Sequence, residues 1–80
     1  MSGHPDFERI DVGPIEGGWR VQTSASDLVL VFRSGAWAER QAYKLAQTLA
    51  DRGTSVEVLV RDKQNLIVGS VLKGPPPPLA

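Results

Sequence analysis

Ser24, Ser26 and Asp27 bring two hydroxyls and a carboxylate within four positions, the raw material of a nucleophilic hydrolase. An activated serine needs a general base held at its side. The single histidine, His4, stands in the polar end Met1 to Asp6 and has neither metal-ligating partners nor an orienting group nearby. Loop and turn chemistry therefore accounts for the serines. Asp62-Lys63-Gln64-Asn65 also gathers polar groups, but these are residue types a tight turn uses for local backbone bonding. Gly17-Gly18 lacks the Gly-Lys-Ser/Thr continuation of a phosphate loop, and no helix follows directly to offer its N-terminus. With no cysteine in the chain, thiol nucleophiles, disulfides and thiolate metal sites are excluded. The expectation is a protein without catalytic residues, metal site or cofactor, hence not an enzyme.

Cations and aromatics suggest a different chemistry. Arg20, Arg33, Arg40, Lys44, Arg52 and Arg61, interleaved with Trp19 and Trp37, resemble the elements of a nucleic-acid-binding surface. Against this, Lys plus Arg number 9 and Asp plus Glu number 9, so the chain carries no positive surplus to meet phosphates. Glu16, Glu39, Asp51, Glu57 and Asp62 are scattered among the same segments, which fits a solvated mixed-charge surface. Arg20, Arg33 and Arg61 stay as the candidate contacts of this alternative. Pro75-x-x-Pro78 has the minimal spacing read by proline-recognition domains, though so short a run is common by chance.

The elements that would position these groups follow from hydrophobic periodicity. Ala36 to Arg52 is helical, with Ala38, Ala42, Leu45, Ala46 and Leu49 on one apolar face, Ser34 as N-cap and Gly53 just past the end. Strands are expected at Glu8 to Ile15, Trp19 to Thr23, Asp27 to Arg33, Ser55 to Arg61 and Asn65 to Leu72. Pro14 cannot donate to a ladder, so the first strand is expected at an edge or to stop there. The last two strands read as a hairpin across Asp62-Lys63-Gln64, with Gly69 as a bulge or close contact. The fold class is α+β, an antiparallel sheet with one helix packed on one face, in the order β-β-β-α-β-β.

Eighty residues make one domain, with a modest core and little stability margin. Residues 1–7 are expected to be a flexible end, 8–73 the domain and 74–80 a proline-rich disordered tail. The amino terminus has no signal-peptide stretch and no apolar run is long enough to span a membrane, which fits cytoplasmic residence.

One helix covers one sheet face. If Leu28, Leu30, Phe32, Val56, Val58 and Val60 face the helix, then Val29, Val31 and Leu59 face away, joined by Leu66 and Val68 or by Ile67 and Val71. Trp37, in the first helical turn, either caps the core or anchors a partner. A large wet apolar patch is rare on a monomer, so a two-fold homodimer through Val29, Val31, Leu59, Ile67, Val71 and Trp37 is the expected use of this surface. The functional expectation is a small interaction or oligomerisation module.

Gly18-Trp19-Arg20-Val21, Phe32-Arg33-Ser34, the alanine-rich helix, Gly53, Val56, Val58, Arg61-Asp62 and Ile67 together resemble a family of short bacterial proteins of unknown function (domain of unknown function 2188). The resemblance covers about Gly17 to Ile67 and departs at Lys63, where members usually have glycine. It implies a bacterial cytoplasmic protein with no established activity, and it transfers no catalytic residue.

Overall fold

The structure, a computed structural model, describes residues 7–24 and 26–74. His4, Pro75-x-x-Pro78, and the expected flexible end and disordered tail apart from Phe7 and Gly74 lie outside those residues. The chain forms β1 (Phe7–Ile15), β2 (Gly18–Thr23), β3 (Val29–Phe32), α1 (Gly35–Asp51), β4 (Ser55–Arg61) and β5 (Ile67–Lys73). This is the expected α+β order, with the helix between the third and fourth strands.

Each local junction has a chemical cause. Ile15 pairs with Gly18 across the turn Glu16-Gly17, where Gly17 has a φ of 80°, the sign a type II turn requires at its third residue. Gly18 itself has no room for a side chain, since a Cβ there would lie 2.6 Å from the Phe32 carbonyl oxygen. The Ser34 hydroxyl accepts the Trp37 N–H at 3.2 Å and caps α1. At the other end Gly53 takes a φ of 97°, while the Gly53 N–H donates to Ala50 and the Thr54 N–H to Leu49. That pair of bonds is a Schellman ending. The Asp62 carboxylate accepts the N–H groups of Gln64 and Leu66 and closes the β4–β5 turn, with Asn65 at a φ of 67°.

The sheet order is β3-β2-β1-β4-β5. It is mixed, because β1 and β4 run parallel while the other neighbours are antiparallel. This corrects the expectation of a purely antiparallel sheet. Of the two alternatives read from Pro14, the edge position is overturned, because the first strand is central, whereas the strand does end one residue past Pro14, at Ile15. The Ser24 N–H donates to the Arg9 carbonyl, so alternation turns the polar groups of Arg9, Asp11, Gly13 and Ile15 towards β2. Pro14 thus directs its missing N–H to the β4 side, beyond the last β1–β4 pair, Val12 with Val60. No ladder bond is lost there.

The core lies between α1 and the sheet centre. Ala38, Ala42, Ala46 and Ala50 form a fully buried stripe, over Ile10, Val12, Val21, Val56 and Val58. Alanine lets the helix backbone approach the sheet closely, and burying each Val or Ile contributes roughly 1.5–3 kcal/mol. The stripe includes Ala50, whereas Leu45 and Leu49 are only half-buried on its flank. The helix lies over β4, β1 and β2 and reaches β3 and β5 much less. Both edges of the sheet are thereby left outside its cover.

Candidate functional site

The face turned away from α1 is polar at its centre. Strand register places Arg9, Asp11 and Gly13 of β1 beside Gln22 and Arg20 of β2 and beside Glu57, Leu59 and Arg61 of β4. Arg61 grips Asp11 with a fork: its Nε lies 3.0 Å from Oδ1 and its Nη2 3.1 Å from Oδ2. Arg20 adds a longer contact, Nη1 to Oδ1 at 3.4 Å. Both guanidinium side chains run over Gly13, where a Cβ would meet Arg20 Nη2 at 3.1 Å and Arg61 Cδ at 3.3 Å. Hydrogen bonding to Asp11, then its charge, raises the Arg61 pKa above its already high value, against a smaller opposing effect of burial. Alongside, Arg9 pairs with Glu57 at 3.0 Å, and the Ser70 hydroxyl reaches Glu57 at 3.4 Å.

This network redistributes the residues singled out from the sequence. Val29, Val31, Leu59 and Ile67 do share the outer face, but Arg20, Asp11 and Arg61 run between the two valines on β3 and the apolar residues of β4 and β5. Val71 is opposite Val58 and so faces the helix side. Trp37 lies on α1, 55% exposed, with Arg40 stacked 5.2 Å from its ring centroid. The continuous apolar face expected from the sequence is therefore divided in two. Of the three arginines, Arg20 and Arg61 share the single charge of one carboxylate, which leaves Asp11, Arg20 and Arg61 together with one net positive charge. Arg33 has no ion-pair partner among the described residues and shares a shallow depression with Lys63 and Trp19.

Exposed apolar side chains concentrate at the sheet edges instead. On β3 and just before it, Leu28 is 62% exposed and Val31 64% exposed, with Val29 and Leu30 also exposed. Between this edge and α1 runs an apolar groove of about 260 Å³, lined by Val21, Leu28, Leu30, Leu45 and Leu49 together with Thr23 and Ser26. Sequence periodicity assigned Leu28 and Leu30 to the helix-facing set, and that side is correct. What it missed is that α1 does not reach far enough to cover them. At the opposite edge Leu66, Ile67, Val68 and Leu72 are exposed.

Among the described residues, no three His, Cys, Asp or Glu side chains gather closely enough to hold a metal ion, and no helix is long and apolar enough to cross a membrane. Ser26 and Asp27 are exposed; the Ser26 hydroxyl accepts the Leu28 N–H, while the Ser24 hydroxyl accepts the Arg9 N–H and donates to Glu8. Their roles are loop closure and the tie between β1 and β2. No family model, curated protein or solved structure matches the chain.

Proposed function

We propose that this chain is a non-catalytic interaction module that associates with itself, most simply as a homodimer. One observation carries the reading: large apolar side chains stand exposed along both edges of the sheet, beyond the reach of the single helix. Contiguous exposed apolar surface on a small domain marks a contact site more often than idle surface. A chain with zero formal net charge also offers little electrostatic resistance to a second copy. The Gly-Trp-x-Val strand and the alanine-rich helix that resemble the small bacterial family fall on β2 and α1, and cytoplasmic residence belongs to the same proposal.

Light scattering coupled to size exclusion, at low and high salt, tests the reading. An apolar contact predicts a dimer that persists as salt rises. A monomer at every concentration would overturn the proposal.

A second reading, a nucleic-acid-binding accessory role, draws on Arg33 and Lys63 beside Trp19. Binding of that kind should weaken steeply with salt as counterions are released. Arg20 and Arg61 bring one net positive charge between them to it while Asp11 holds them.

A further inference from the structure

We infer that β3 is the edge through which two copies recognise each other, pairing antiparallel about a two-fold axis at Leu30. The inference rests on the self-association reading and adds the strand, the register and the residues that set it.

The first support is where the backbone points. Gly18, Arg20, Gln22 and Ser24 direct their polar groups to β1, in the alternation fixed by the bond from the Ser24 N–H to Arg9. Trp19 and Val21 therefore bond to their β3 partners Phe32 and Leu30. Val29 and Val31 are left with N–H and C=O groups directed away from the sheet, on an edge with no further strand. A second β3 related by a two-fold axis at Leu30 sets Val29 opposite the partner copy's Val31, and Val31 opposite its Val29. Those residues are the ones with outward groups, so a closed set of ladder bonds forms without a shift in register.

The side chains and charges fit the same register. Val29 and Val31 would meet on the outer face, and Leu30 would meet its own copy beside the open groove on the helix face. Asp27 and Arg33 flank the strand, both exposed and neither in an ion pair among the described residues. Asp27 and Arg33 lie in the bends on either side of β3, so antiparallel pairing centred on Leu30 brings the Asp27 end of each copy beside the Arg33 end of the other, twice in the dimer. Proline, lysine and bulges are among the protections of an edge strand, and β3 carries none of these; its one protection is its length of four residues. The β5 edge does carry such protection, with a register shift against Val60 and Arg61 and with Lys73 at its end. A single open edge closes the assembly at two copies.

Three variants test the pairing by size exclusion with light scattering, with circular dichroism confirming that each folds. Val31→Pro removes an outward N–H and leaves the bonds to β2 untouched, so it should abolish the dimer. Arg33→Asp and Asp27→Arg each place like charges at both contacts, and each alone should weaken the dimer about tenfold. Mixed one to one, they restore both opposite-charge contacts, and the heterodimer should recover to within about threefold of the unaltered protein. A dimer that survives Val31→Pro, or charge variants whose mixture is no tighter than either alone, would overturn the β3 register and leave self-association standing. An unaltered protein that stays monomeric would overturn both.

Discussion

The two edges of this sheet differ in how they are finished. β3 is four residues long, apolar on both faces, and ends in a capped helix that turns away from it. β5 is seven residues long, bulged near its start and closed by a lysine. Both expose large apolar side chains, and Leu72 on β5, at 71%, exceeds any on β3. Exposure alone thus does not separate them. The difference lies in the backbone: a strand edge without bulge or charge is a template for another strand, whereas a shifted, lysine-tipped edge resists being read.

The sharpest way to break that comparison is to place the same charge on each edge. Val31→Lys should abolish self-association, while Leu72→Lys should leave it within about threefold of the unaltered protein, both read by light scattering. Equal losses from the two would mean that exposed apolar area, not an open backbone, drives assembly. Next comes the support common to both edges. Val58→Ala, at the centre of the core, should cost roughly 2–3 kcal/mol in chemical denaturation, and it should weaken assembly only as far as the fold itself is lost.

Asp11→Ala tests the charged strip between the edges and should destabilise the fold less than Val58→Ala. It leaves Arg20 and Arg61 side by side without their shared carboxylate. If salt-sensitive DNA binding appears only in that variant, Asp11 is what withholds the two arginines in the native protein.

The turns that anchor the two edges give smaller effects. Asp62→Ala removes the acceptor for two N–H groups before β5, and Ser34→Ala removes the cap after β3; each should cost about 1 kcal/mol. Hydrogen exchange should show loosening at β5 in the first and at the start of α1 in the second.

The smallest effect concerns the helix that lies between the edges. Burial pushes the Tyr43 phenol above its usual range, and the charge and hydrogen bond of Glu39, 3.2 Å away, push it further. The folded state therefore holds the phenolic proton more tightly than the unfolded chain. The resulting stability is present in full below about pH 10 and is lost as pH rises through the folded value. Tyr43 is the only tyrosine, so phenolate absorbance reports it directly, and Glu39→Gln should lower the midpoint.

Much of the fold was legible because its signals are local. Ser34, Gly53 and the alanines at four-residue spacing announced α1, and Asp62-Lys63-Gln64 announced the last hairpin. The strand boundaries moved by one or two residues, since Asp27, Leu28 and Arg33 have strand-like neighbours but lie outside the β2–β3 ladder. The outer face was less legible. Alternation put Val29, Val31 and Leu59 on one side correctly, yet it could not see that Asp11 would stand between Arg20 and Arg61. Arg61 lies 50 positions from Asp11, and the two meet only because β4 inserts beside β1. Gly13, whose lack of a side chain lets both arginines pass, looked like any alternating strand position.

By itself, the sequence determined the fold class of the protein: α+β, with strands and helix in this order. Spacing, caps and turn residues act over a few positions, and a linear reading captures them. Tertiary structure alone decided which strands became neighbours, that β1 and β4 run parallel, and where the helix stops covering the sheet. A parallel pair has no turn between its members to advertise it, and an edge becomes open only when every other strand has found its place.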